Sequence, residues 1–167
     1  FQLSSSADTT LTPGLDAAAI TGIVFTSITS GGVAGAALNP VLVFTPANTV
    51  PVGGTITLTM PAGYFLGSVT SITSSVTLLT ATSTPAATAT STSIVLTTAG
   101  AATGTAAITM TLFGLTLGGA RAIVTGGFHI TTSEDVVFSV PLDAAAISGI
   151  LFSSIASGGV AGAAMWP

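Results

Sequence analysis

Few residues in this chain could do chemistry. His129 is the only histidine and Arg121 the only basic residue. The acids are Asp8, Asp16, Glu134, Asp135 and Asp143, and there is no cysteine. His129 sits in FHITTSED, where strand alternation sets it on the face opposite Phe128 and Ile130. It reads as a surface strand residue rather than a general base. Glu134 and Asp135 are adjacent, so in an extended chain they point to opposite faces and make a poor acid–base pair. A calcium site takes about six to eight oxygens, several from carboxylates, and scattered acids read instead as solvated turn residues. The serine tracts lack a Gly-X-Ser-X-Gly elbow with a matching histidine and acid. The glycine run SGGVAGAA lacks the Gly-Lys-Ser/Thr ending of a phosphate loop. The expectation is a non-enzyme without catalytic residues, cofactor or metal.

The elements around these residues are organised by a repeat. Residues 1–40 align with residues 128–167 at an offset of 127, and 23 of the 40 positions are identical. The densest part is LDAAAITGIVFTSITSGGVAGAALNP against LDAAAISGILFSSIASGGVAGAAMWP; the weaker part is FQLSSSAD against FHITTSED. A fixed-period repeat marks a structural unit that recurs along an axis. The chain therefore holds one full period and about a third of the next. A unit with a spare copy of one of its own segments has something to offer a neighbour. SGGVAGAA is kept in both copies and reads as a place of close backbone approach, suited to an assembly contact.

Composition narrows the function classes. Charged residues are 4% of the chain, against about 25% in ordinary globular domains. With one basic residue there is no footprint for nucleic acid and no patch for an anionic membrane. No apolar run is long enough for a membrane helix. Such a chain tends to associate unless something else solvates it. Thirty threonines and eighteen serines can do so, and they are acceptors for O-linked glycans. Asn39 precedes Pro40 and Asn48 is followed by Thr49-Val50, so no Asn-X-Ser/Thr sequon exists. The chain starts at Phe1 rather than Met, as expected for a processed protein or for a window of a longer one.

Strand signals dominate the period. Residues 54–60, GTITLTM, alternate strictly, with Thr55, Thr57 and Thr59 outward and Ile56, Leu58 and Met60 inward. Turns at Pro51-Val52-Gly53-Gly54 and Pro61-Ala62-Gly63 bracket them. Further strands are expected at 21–29, 41–45, 68–80, 91–97, 105–116, 122–125, 128–132 and 147–155. Residues 17–19 and 144–146 read as connector with a possible helical turn capped by Asp16 or Asp143. Residues 80–93 are low in complexity and read as a long hairpin loop or an exposed strand pair. The fold class is all-β, an antiparallel β-sandwich. The breaks at Pro13 and Pro141 set the expected units: 1–14 as the last strand of a preceding repeat, 15–141 as the sandwich, and 142–167 as the start of the next repeat, offered to a neighbour.

The stretch FTPANTVPVGGTITLTMPAGYF, residues 44–65, resembles the Pro-X-Gly-Gly, alternating strand, Pro-X-Gly-Phe pattern of Ig-like β-sandwich modules in extracellular filaments and repetitive surface proteins. The extra terminal strands are similar to those of donor-strand-complemented pili, in which one subunit's strand completes a neighbour's sheet. The resemblance implies an Ig-like fold whose terminal strands are exchanged between subunits.

The expected function is thus a structural subunit of an extracellular, O-glycosylated filament, polymerising head to tail with itself by strand exchange. The alternative is one window of a covalent tandem-repeat surface adhesin, or, behind it, an ice-binding protein using a threonine row. The assembly residues expected are Phe128, Ile130, Ile147, Ile150, Leu151, Phe152, Ile155, Val160 and Met165, with Trp166 as an aromatic plug. Glycan acceptors are expected at Thr80, Thr82, Ser83, Thr84, Thr88, Thr90, Ser91 and Thr92. Nucleic acid and membrane insertion are not expected.

Overall fold

The structure is a computed structural model that describes residues 20–25, 32–75, 86–99 and 102–149. The described residues are all-β and contain no helix. Eleven strands follow in order: β1 (Thr21–Phe25), β2 (Gly32–Val33), β3 (Ala37–Leu38), β4 (Val41–Thr45), β5 (Thr55–Thr59), β6 (Phe65–Ser74), β7 (Ser93–Thr97), β8 (Ile108–Leu117), β9 (Val124–Thr132), β10 (Leu142–Ala144) and β11 (Ile147–Ser148).

Two antiparallel sheets carry most of them. In one, β4 lies between β1 and β8, and β8 also pairs with β3 and β6. In the other the order is β10-β9-β5-β7. A third, two-stranded sheet is parallel: Ile147 of β11 stands opposite Gly32 of β2, and Ser148 opposite Val33.

Alternation builds the core from both sheets. Along β5, Ile56 and Leu58 are buried while the three threonines are half-covered, as the period of two requires. Leu42 and Phe44 of β4 and Ile94 and Leu96 of β7 follow the same rule. These residues join Ile20, Tyr64, Phe65, Met110, Phe128, Ile130, Ala144 and Ile147 in one apolar cluster. Tyr64, Phe65 and Phe128 form its aromatic part. Tyr64 meets the other two edge-on at 5.1 and 5.0 Å between centroids, and Phe65 stacks on Phe128 at 5.9 Å.

Turns act where the prolines and glycines fall. Gly54 N donates to Pro51 O at 3.0 Å with Gly53 at φ +80°, a type II turn. Tyr64 N donates to Pro61 O at 2.9 Å with Gly63 at φ +64°. This second turn fixes where Tyr64 enters the core.

Two sequence expectations change. Strands 122–125 and 128–132 are one strand, β9, running through Gly126 and Gly127. Its partner β10 shifts register opposite the two glycines, between Leu142 and Ala144. The glycines bend the strand without ending it. Of the second-copy connector, Ala144 belongs to strand β10, which pairs with β9, while Ala145 and Ala146 link β10 to β11; Asp143 caps no helix. Its Oδ1 accepts from Gly126 N at 2.7 Å. An alanine run has little to hold it in a helix when an open strand edge lies alongside.

Candidate assembly site

The segment that opens the second repeat is seated on the domain that precedes it. Ala144 and Ile147 are buried in the core. Tyr64 and Arg121 hold the main chain between them. The Tyr64 hydroxyl donates to Ala145 O at 3.0 Å. Ile147 N donates to Arg121 O, and Arg121 N to Ile147 O, both at 2.9 Å. The Arg121 guanidinium donates through Nη2 to Ala62 O at 2.7 Å and covers the Tyr64 ring. Its Nε is buried without a hydrogen-bond partner among the described residues. Burial pushes the Tyr64 hydroxyl above its ordinary 10.0, and the charge of Arg121 offsets part of that rise.

The glycine run forms the far wall. Gly32 and Val33 pair with Ile147 and Ser148, Ala34 N donates to Ser148 O at 2.9 Å, and Ser148 Oγ donates to Gly32 O at 3.0 Å. A side chain at Gly32 would run into Leu117. The close approach expected of SGGVAGAA is therefore made here by the first copy against the second.

The repeat offset gives the site its meaning. Ile147 is the counterpart of Ile20, and both are buried in the same core. Ile20 leads into β1, whose Thr21 stands opposite Thr45 of β4; Ile147 stands on β11 beside β2. One segment type thus occupies two different places in one domain.

The weaker part of the repeat is explained residue by residue. Three positions of FQLSSSAD and FHITTSED are identical: Phe1 with Phe128, Ser6 with Ser133, Asp8 with Asp135. Phe128 fills the aromatic core. Ser133 Oγ accepts from Thr55 N at 3.4 Å. Asp135 is almost fully buried and ties down the loop after β4. Its Oδ2 accepts from Ala47 N and Asn48 N at 3.0 and 3.1 Å, and its Oδ1 from Asn48 Nδ2 at 2.6 Å. Those bonds occupy the carboxylate; Glu134 beside it is exposed.

Of the expected assembly residues, Phe128 and Ile130 are buried in β9 and face their own core, as Ile147 does. Ile150, Leu151, Phe152, Ile155, Val160, Met165 and Trp166 lie outside the described residues, as do Thr80, Thr82, Ser83 and Thr84. Thr88, Thr90 and Thr92 are exposed and Ser91 is half-covered. Thr88 and Ser91 close a small turn in which Thr88 N donates to Ser91 Oγ at 2.9 Å and Ser91 N to Thr88 O at 3.0 Å. His129 is half-buried, 5.2 Å from the Phe138 ring, with Nδ1 3.4 Å from Ser139 O. Among the described residues, no three of His, Asp and Glu gather as metal ligands.

Sequence reading missed Tyr64 and Arg121 as a pair. The available signal was rarity: each is the only residue of its kind in the chain. It also missed an apolar stretch, Val136, Val137, Phe138 and Val140, which is exposed along the edge beyond β9. Its first-copy counterpart is Thr9, Thr10, Leu11 and Pro13.

Comparison with protein-family models, with curated proteins and with solved structures gives no match for this chain.

Proposed function

We propose that this chain is a structural unit of an extracellular filament or array whose units join head to tail through the segment that the chain carries twice. In this reading the two sheets face each other as an Ig-like sandwich, and the hydroxyl-rich surface, including Thr88, Thr90, Ser91 and Thr92, carries O-linked glycans. One observation carries it: Ile20 and Ile147, equivalent by the repeat, are buried at two places in the same core. A domain that uses one segment both to begin and to finish itself is built to be followed by another of its kind.

Two forms of array follow. Separate subunits would exchange strands, with residues 149–167 serving as β1 to β3 of a neighbour. A covalent tandem array would carry one such segment at each junction, shared between the domain before it and the domain after it. The second form is favoured by residues 142–148, which stay on their own domain and lead directly into the second copy of β1. The intact mass of native material after dissociation separates them. A mass near 16.1 kDa, with or without sugar increments, means exchanged subunits, and a mass many times larger means a tandem chain. The informative truncation ends at Ser148, because β9, β10 and β11 belong to the domain. If filaments form unchanged without residues 149–167, exchange through that segment is wrong.

A further inference from the structure

The contacts on residues 142–148 fall on main-chain atoms or on side chains that the first copy also has. Tyr64 and Arg121 bond to the backbone of Ala145 and Ile147. Gly126 N reaches the Asp143 carboxylate, and Ala144 and Ile147 enter the core. Leu142 stands opposite Phe128 and packs against the core. Residues 142–147 read LDAAAI, and so do residues 15–20. The next residue is Ser148 in one and Thr21 in the other, so the hydroxyl that meets Gly32 O is kept.

The site therefore has no side-chain contact by which to tell the two copies apart. The chain carries two ligands for it and, among the described residues, one such site. We propose that the cleft formed by Tyr64, Arg121, Gly126 and Gly32–Val33 is a receptor for the LDAAAI strand. When residues 142–148 leave it, residues 15–21 of a second copy of this chain take their place, with Ile20 withdrawn from its own core and Thr21 from its pairing with Thr45. This deepens the proposed function, on which it rests, by naming the surface and the segment through which separate copies meet.

The chain contains its own reporter. Arg121 is the only possible tryptic site, and its N–H and C=O are both paired with Ile147. Cleavage there requires the LDAAAI strand to undock, so its rate reads occupancy of the cleft. The test uses the full chain with Ala144→Asp, which sets a carboxylate into the core from the second copy and leaves residues 15–21 intact. Tryptic cleavage should rise at least about tenfold. The synthetic peptide LDAAAIT should restore resistance in a saturable way, and LDAAADT should not. Without peptide the variant should self-associate, and adding Ala17→Asp should abolish that association. If Ala144→Asp loses its β-sheet circular dichroism, Tyr64→Phe loosens the same strand by one hydrogen bond and takes the same peptide series. Cleavage that is indifferent to LDAAAIT in a folded variant overturns the receptor. Peptide-dependent protection in a protein whose native material forms no array would keep the receptor and remove the filament.

Discussion

The guanidinium of Arg121 lies over the ring of Tyr64, with Cζ 5.8 Å from the ring centroid, and between them the two residues hold the strand that opens the second repeat. The division of labour follows from their chemistry. Tyrosine brings an apolar body for the core and one donor for a carbonyl. Arginine sets its guanidinium over the ring and still has a donor for Ala62 O.

Tyr64→Phe keeps the ring packing and removes the bond to Ala145 O. We expect a loss of about 1 kcal/mol in denaturant unfolding, together with faster tryptic cleavage after Arg121. A variant with unchanged stability and unchanged cleavage would show that the hydroxyl does not hold the strand.

The same hydroxyl sets a pH dependence. Its folded-state pKa is raised above the ordinary 10.0 because burial disfavours the phenolate. Between the unfolded and the folded value the native state therefore binds more proton than the unfolded one. Stability from this group is fully present below about pH 10 and is lost as pH rises through the folded value. Tyr64 is the only tyrosine, so tyrosinate absorbance follows one group. Its midpoint should lie above that of the urea-unfolded chain, and the alkaline loss of stability should flatten in Tyr64→Phe.

Asp135→Ala leaves three donors of Ala47 and Asn48 without their acceptor. A cost of about 2–3 kcal/mol is expected, with faster amide exchange at residues 47 and 48. Glu134→Ala, one residue away and exposed, should cost less than about 0.5 kcal/mol. Equal effects would mean that the loop is held by something other than the Asp135 carboxylate.

Phe128 and Phe138 offer a second contrast within one stretch of chain. Phe128→Ala empties the aromatic cluster and should cost about 3–5 kcal/mol. Phe138 is 60% exposed, so Phe138→Ser should leave thermal stability nearly unchanged and raise solubility. A large loss of stability in Phe138→Ser would mean that the apolar edge already belongs to the folded domain.

What could be read from the sequence was whatever repeats at short range. The threonine row of β5, the turns at Pro51 and Pro61 and the close approach at SGGVAGAA all follow from alternation, proline and glycine. The duplicated LDAAAI was visible too, but not its seat. That seat joins Tyr64 to Ala145 and Gly32 to Ile147, and no local pattern encodes contacts over such separations. Two local signals misled. Gly126-Gly127 read as a break, yet a strand passes through it by shifting register. Ala144 sits in a helix-favouring triplet, but the open edge of β9 offered it partners that an isolated helical turn lacks.

The parallel pairing of β11 with β2 also has a mechanical side. A pull on the chain where it leaves Ser148, directed along β11, loads that pairing lengthwise. The bonds from Ala34 N to Ser148 O, from Ser148 Oγ to Gly32 O, and both between Arg121 and Ile147 then stretch together. They do not peel apart one after another. Tension would be shared in shear, and in the proposed array the clamp at Tyr64 and Arg121 would resist the first step of unravelling.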